Sequence, residues 1–162
     1  AITRSCELRW YSSIAAIDIS DKALEVAKKN TKIHKLEKEI NFIHWDLLKQ
    51  FDVKSISRNE KIVIVANLPY IKNDDHNNMS DSTVNFEPKL ALYGWETGLE
   101  LYEKLIEQCL LLWEEWVDID VYIEIGFDQK ELVTDFLSEK QLDFEFFKDS
   151  ATIDRVVYIH GF

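Results

Sequence analysis

Residues 62–70 read IVIVANLPY, an apolar run that ends in an amide, a proline and an aromatic ring. Five consecutive apolar residues are enough for one buried strand of a parallel sheet, and β-branched side chains favour that conformation. Open α/β folds bind their ligands at the carboxyl ends of such strands. The four residues Asn67 to Tyr70 are therefore the first candidate for a binding site.

These four residues suit one chemistry, the presentation of a planar –NH2 group to an electrophile. The side-chain carbonyl of Asn67 and the backbone carbonyl of Leu68 can each accept one N–H. Pro69 removes a competing donor and stiffens the turn, and Tyr70 can lie against the flat face of the substrate. The alternative interpretation is a proline-terminated strand with a turn asparagine and a packed tyrosine.

Around this strand the apolar pattern alternates between strand and helix periods. The predicted strands are 14–17, 40–44, 62–66, 121–125, 144–147 and 156–159, and the predicted helices are 21–34, 99–113 and 129–139. A helical pattern at 2–10 precedes them, and a polar loop at 71–88 follows Tyr70. The alternation indicates an α/β domain with a mostly parallel sheet, helices on both faces and an antiparallel last strand.

Two of the predicted helices have apolar faces at three- and four-residue steps. The helix at 99–113 places Tyr102, Cys109 and Trp113 on that face, and the next helix places Leu132 there. We therefore expect these side chains in the core.

The composition describes one domain of moderate size. With 162 residues, 46% of them hydrophobic, the chain can bury a sizeable core. A net charge of −11 argues against broad attachment to nucleic acid, which requires clustered Lys and Arg. No apolar run approaches the length of a membrane span, and Cys6 and Cys109 indicate two reduced, buried thiols rather than a disulfide or a metal site. We expect a cytoplasmic protein with no membrane, metal or direct nucleic-acid binding.

Two further predicted strands end in carboxylates. Asp18 follows the first strand and could accept hydrogen bonds from both hydroxyls of a ribose, and a helix-capping aspartate is the alternative. Asp46 follows the second strand and could accept from an adenine amino group, with Leu47 against the ring, and a loop carboxylate is the alternative. With Asn67, three consecutive strands end in residues suited to a nucleoside or its reaction partner, and this series favours the functional interpretation of each.

Together these residues resemble the HemK/PrmC family, the S-adenosylmethionine-dependent protein-(glutamine-N5) methyltransferases that modify peptide chain release factors. The matching segments are 16–20, 45–48, 67–71, 86–88, 123–126 and 154–157. The resemblance implies a Rossmann-like class I methyltransferase fold, a three-layer sandwich, with S-adenosyl-L-methionine as cofactor and a release factor as protein substrate. It implies catalytic roles for Asn67, Leu68, Pro69 and Tyr70, and cofactor contacts from Asp18, Asp46, Leu47 and Asn67.

Leu68 departs from the family pattern, which is Asn-Pro-Pro-Tyr. Because position 68 would act through its backbone carbonyl, the change need not abolish amide binding, although it loosens the turn. Asn-Leu-Pro-Tyr is also similar to the motif of rRNA adenine-N6 dimethyltransferases, so an adenine-N6 methyltransferase acting on rRNA or DNA is an alternative. A non-catalytic remnant of the methyltransferase fold is the other alternative.

Glycine is scarce in the first part of the chain. Class I methyltransferases of this kind hold the cofactor with a Gly-rich loop after their first strand, but the first glycine here is Gly94. We therefore expect residues 1–162 to be part of a catalytic domain without its first strand, its Gly-rich loop and a helical N-terminal substrate-docking domain. On this expectation the 162 residues alone fold poorly and bind no cofactor.

Trp45, Trp95 and Trp116 stand where the resemblance leads us to expect glycine. One hypothesis is that their codons are UGA, translated here as tryptophan from a source that reads UGA as glycine. Ordinary aromatic substitution is the alternative, and UGG codons at these positions would establish it.

Overall fold

A computed structural model describes residues 13–52, 61–71 and 96–161. The chain divides into two compact units, Ala1–Phe51 and Asp52–Phe162. The helical pattern at 2–10 and nearly all of the polar loop at 71–88 lie outside the described residues. Within the described ranges, every helix is too short or too polar to cross a membrane.

The first unit is a parallel β-α-β element. Strand β1 is Ile14–Asp18, helix α1 is Asp21–His34 and strand β2 is Ile40–His44. Ser20 caps the helix because its hydroxyl accepts the Ala23 N–H at 3.3 Å, which satisfies one of the donors left free in the first turn. β1 and β2 pair in parallel from Ile14 opposite Ile40 to Asp18 opposite His44. Their carboxyl ends therefore lie side by side.

The second unit is a four-stranded sheet with two helices. Its elements are β3 Lys61–Ala66, α2 Glu100–Glu114, β4 Asp118–Glu124, α3 Lys130–Glu139, β5 Asp143–Lys148 and β6 Asp154–His160. The strand order is β3-β4-β6-β5, and β6 runs antiparallel to both of its neighbours. β3 pairs with β4 in parallel. The prediction of a parallel arrangement with an antiparallel last strand is confirmed.

The core of the second unit lies where β4 and β6 meet. Val121 and Ile123 of β4 and Val157 and Ile159 of β6 are each no more than 1% exposed. Alternate residues of β4 are buried, as expected for a strand with period-two side chains whose more apolar face meets a helix. This core holds the carboxyl end of β4 in a fixed position.

Each unit has its own sheet among the described residues. Among the described strands, β1 pairs only with β2, and β3 shares its ladder only with β4, so each has one open edge. Val65 of β3 is 62% exposed although its strand is apolar and carries a charge only at Lys61. Edge strands are usually protected by charges or prolines along their length. β3 therefore has an open edge but the apolar composition of an interior strand.

The helix faces were predicted with two errors. Tyr102 and Cys109 are buried, but Trp113 is 49% exposed and Leu132 is 40% exposed. On α2 the buried face continues to Leu112, three residues after Cys109, so Trp113 falls one position beyond it. Burial raises the pKa of the Cys109 thiol to about 12, which keeps it protonated and unreactive. Cys6 lies outside the described residues.

Helix α2 ends in a left-handed turn at Trp116, whose φ is 66°. The Trp116 N–H donates to the Trp113 carbonyl at 2.8 Å, and the Val117 N–H donates to the Leu112 carbonyl at 3.3 Å. Glycine is the usual residue at this position because it has no Cβ to collide with the backbone. The Trp116 side chain is 93% exposed, so little packing offsets the strain. The expectation of glycine thus fits the backbone at Trp116, and Trp95 lies outside the described residues.

Replacing Trp116 with glycine is expected to raise the free energy of unfolding of the full-length protein by about 1 kcal/mol, since it removes the left-handed strain. Urea unfolding followed by circular dichroism measures the change. Trp45→Gly is the matched control. The Trp45 ring packs edge-on against Phe51 at 6.4 Å, and Trp45 is not among the residues with positive φ, so the same substitution there should destabilise. A loss of stability in Trp116→Gly would contradict the conformational explanation.

Candidate active site

The four residues Asn67 to Tyr70, called the tip below, follow β3 directly. The side chain of Asn67 is exposed, and Leu68, Pro69 and Tyr70 are half-buried. Because Ala66 at the end of β3 lies opposite Ile123 of β4, the tip begins beside the carboxyl end of β4. The tip therefore has one exposed polar side chain on a backbone that packs against the rest of the unit.

Tyr102 of helix α2 contacts the backbone of the tip from inside the unit. Its hydroxyl oxygen lies 2.9 Å from the carbonyl oxygen of Leu68 and 2.6 Å from that of Glu124. Tyr102 is 2% exposed, and burial raises the pKa of its phenol well above the ordinary value. The hydroxyl therefore keeps its proton and acts as a hydrogen-bond donor at the base of the tip.

Gln129 joins the tip to two loops. Its side-chain nitrogen donates to the carbonyls of Tyr70 and Gly98, each at 3.2 Å, and its side-chain oxygen accepts the Gly126 N–H at 2.8 Å. Gln129 is 2% exposed, so these bonds form away from water. A buried amide that finds three partners specifies one arrangement of the surrounding backbone.

Gly98 makes this arrangement possible in two ways. Its φ is +78°, a conformation that side chains with a Cβ rarely adopt. A Cβ at this position would collide with the Tyr70 carbonyl and would stand 2.9 Å from the Gln129 side-chain nitrogen. The close approach of the loop to the tip therefore requires glycine here.

An ion pair supports the ring of Tyr70. Arg155 of β6 donates to the Tyr70 hydroxyl at 3.3 Å and to the Glu124 carboxylate at 3.2 Å. Its guanidinium carbon lies 5.8 Å from the centre of the Tyr70 ring, within the range of a cation–π contact. Arg155 thus contacts both the hydroxyl and the face of the Tyr70 ring and limits its movement. Glu124 is a carboxylate at the end of its strand that pairs with Arg155.

In the first unit the structure brings together the two predicted acidic strand ends. Asp18 ends β1, and its backbone carbonyl accepts the Trp45 N–H at 3.3 Å, so Asp46 lies one residue beyond that bond. One carboxylate oxygen of Asp18 accepts the Ser20 N–H at 2.7 Å. Leu47 has φ 54°, an uncommon conformation for a branched residue. Strained backbone of this kind often occurs at binding sites.

His44 fixes the turn between these strand ends. Its Nε2 lies 2.8 Å from the Ile19 carbonyl oxygen, and its Nδ1 lies 3.2 Å from the Asp21 carboxylate. The end of β2 is thereby joined to the turn that follows Asp18. The strand pattern at 40–44 gave no signal for this role of His44.

The predicted site residues lie in both units, with Asp18, Asp46 and Leu47 in the first and Asn67 to Tyr70 in the second. Sequence reasoning missed the roles of Tyr102 and Gln129. Tyr102 was assigned only to the core, and Gln129 only to the start of a helix. Neither has a local signal, because each acts on backbone atoms that are distant along the chain.

No protein-family model matches the chain. The chain is 32% identical over 160 residues to a bifunctional methyltransferase of Rickettsia typhi. The aligned residues cover 98% of the chain and 29% of that protein. It is 32% identical over 159 residues to a release factor glutamine methyltransferase of Staphylococcus aureus, with 97% of the chain and 54% of that protein covered. The release factor glutamine methyltransferase of Lactococcus lactis is 33% identical over 135 residues, with 81% and 45% covered. The chain thus spans between 29% and 54% of the length of these curated relatives.

Solved structures show the fold. The catalytic domain of hMettl16 in complex with a MAT2A 3'UTR hairpin has a TM-score of 0.66 at 15% identity, covering 93% of this chain and 56% of that one. A ribosomal protein L11 methylase from Lactobacillus delbrueckii has a TM-score of 0.52 at 20% identity, covering 91% and 57%. The chain has the Rossmann-like α/β fold of class I S-adenosylmethionine-dependent methyltransferases, as predicted.

Proposed function

We propose, because this chain belongs to the HemK/PrmC family of methyltransferases, that it transfers a methyl group from S-adenosyl-L-methionine to the side-chain amide nitrogen of a glutamine in a peptide chain release factor. The observation that carries the proposal is the tip after β3. There the exposed Asn67 precedes Leu68, whose carbonyl accepts a hydrogen bond from the buried Tyr102 hydroxyl. The names of the relatives support the choice of glutamine as the acceptor. The reaction would take place in the cytoplasm, without a membrane or a direct nucleic-acid partner.

An amide nitrogen is a poor nucleophile because its lone pair is delocalised into the carbonyl. The protein must therefore hold both N–H groups in acceptors and fix the direction of the lone pair. The Asn67 side-chain carbonyl and the Leu68 backbone carbonyl would supply these acceptors, and Pro69 would limit movement of the turn. The Tyr70 ring, held by Arg155, would form the wall against which the amide plane lies.

The residues of the first unit fit the nucleoside part of the cofactor. A ribose presents hydroxyl donors and an adenine presents an amino donor, and the carboxylates of Asp18 and Asp46 are acceptors at neighbouring strand ends. Asp18 and Asp46 would hold these groups, with Leu47 against the adenine ring. S-adenosyl-L-methionine, when bound, supplies the methyl group from its sulfonium centre. No general base is required before attack, since methylation acidifies the nitrogen.

Incubation of the full-length protein with a release factor and S-adenosyl-L-methionine tests the proposal. We expect one added methyl group on a glutamine side chain, located by tandem mass spectrometry of the digested release factor. Parallel reactions with rRNA and with DNA test the adenine alternative under the same conditions. A methyl group on adenine and none on the release factor would replace this proposal with the adenine-N6 function. If no methyl group is transferred to the release factor, to rRNA or to DNA, the non-catalytic remnant is favoured.

A further inference from the structure

The hydroxyl of Tyr102 faces two carbonyl oxygens but carries one proton. The distances are 2.6 Å to the Glu124 oxygen and 2.9 Å to the Leu68 oxygen. A phenol can donate to only one of them at a time, and the pair of acceptors must share that donor. The carbonyl of Leu68 is therefore partly satisfied from within the protein, and it can accept a further donor without losing its place.

The position of this hydroxyl is fixed by the core. Tyr102 is on helix α2 between buried residues, with Leu105 2% exposed and Ile106 fully buried one turn later. A buried aromatic ring has little freedom, because interior side chains are closely packed. The hydroxyl thus marks a fixed point against which the backbone of the tip is set.

Leucine at position 68 gives the fixed Tyr102 hydroxyl a role in orienting the backbone of the tip. Proline restrains its own φ, whereas leucine leaves φ free to rotate within the allowed regions. Pro69 restricts the backbone of Leu68 from the following position, but the φ of Leu68 stays free, so a contact at the Leu68 carbonyl is needed to fix its direction. Within the described residues, Tyr102 is the side chain that contacts this carbonyl oxygen.

We propose that Tyr102 is a positioning residue that directs the Leu68 carbonyl toward the substrate amide. Without substrate, the Tyr102 proton is shared between the carbonyls of Leu68 and Glu124. The Leu68 oxygen has two lone pairs, so the Tyr102 hydroxyl can donate to one of them while the amide N–H of the substrate donates to the other. The acceptor is thus held in the correct direction while the substrate is bound. This inference rests on the proposed function, since it names the role of Tyr102 at the same site.

Tyr102→Phe in the full-length protein tests the inference, because it removes the hydroxyl and keeps the ring. We expect kcat for methyl transfer to the release factor to fall about tenfold, the effect of losing one hydrogen bond in the transition state. KM for the release factor should stay within about twofold, since the hydroxyl does not hold the rest of that protein. Thermal unfolding monitors the folded state of the variant.

Tyr158→Phe is the matched control. It removes a tyrosine hydroxyl that bonds to Asp120 at 3.0 Å, near the start of β4 and away from its carboxyl end. We expect kcat to be unchanged in this variant. Tyr102→Phe with unchanged kcat, whether or not its melting temperature falls, would overturn the inference and leave the proposed function intact. A wild-type protein that methylates no release factor would overturn both.

Discussion

Asn67→Ala is expected to lower kcat for methylation of the release factor by a factor of about 100 to 1000, with a much smaller change in KM. The side-chain carbonyl of Asn67 would accept an N–H of the reacting amide, and losing one preorganised partner at a reacting centre typically has an effect of this size. Asn67 is exposed at the end of β3, so its truncation should alter stability little. Steady-state methyl transfer and thermal unfolding of the same preparations measure both quantities.

Two further variants identify the role of the asparagine. Asn67→Asp keeps an acceptor oxygen at the same place but loses the –NH2 donors, so it should retain more activity than Asn67→Ala if acceptance is what matters. Equal losses in both variants would show that Asn67 acts as a donor. Asn41→Ala removes an exposed asparagine from β2 and should leave kcat unchanged. Near-normal turnover of Asn67→Ala would exclude Asn67 from catalysis.

Gly98→Ala is expected to lower the free energy of unfolding by about 3 kcal/mol. The new methyl group would collide with the Tyr70 carbonyl and crowd the Gln129 side chain, and the backbone at φ +78° would be strained as well. Because the collision is with backbone of the tip, we also expect methyl transfer to be lost in the molecules that remain folded. Urea unfolding gives the stability, and kcat corrected for the folded fraction gives the activity.

Gly161→Ala is the matched control, because it introduces the backbone strain of a positive φ without a collision with backbone atoms. Gly161 has φ +73°, but the nearest atom to its added Cβ is the Asp143 carboxylate oxygen at 3.2 Å, at the end of an exposed side chain that can move. This variant should therefore lose only about 1 kcal/mol, the usual strain of a left-handed residue, and keep its activity. Equal losses of stability in Gly98→Ala and Gly161→Ala would show that contact with the tip is unimportant.

Most of the strands and helices could be predicted because their periodicity is strong. β2 has the predicted bounds, and α1 begins after Ser20 as predicted. The start of β4 was missed because Asp118 and Asp120 interrupt the apolar pattern. Lys61 on the neighbouring strand lies 3.6 Å from Asp118 and 2.9 Å from Asp120, so these carboxylates are compatible with a strand. Such a pairing across strands has no signature within one segment.

The tip could be predicted from the sequence, but its support could not. Asn67 to Tyr70 form a continuous group whose chemistry is recognisable in a line of text. Tyr102, Gln129 and Arg155 reach the tip from 34, 59 and 85 residues along the chain, as counted between each bonded pair. Each residue type also occurs in ordinary cores and helix ends. Only the three-dimensional arrangement distinguishes them.

The strand order β3-β4-β6-β5 has a consequence for synthesis on the ribosome. The last strand, β6, lies between β4 and β5, so β5 emerges before its only described neighbour in the sheet exists. Because chains fold as they emerge, the sheet of this unit is completed only when residues 154–160 have been made. Arg155 belongs to that strand. The contact of Arg155 with Tyr70 therefore forms only after residues 154–160 have emerged, and a nascent chain that has already displayed Asn67 still lacks this support.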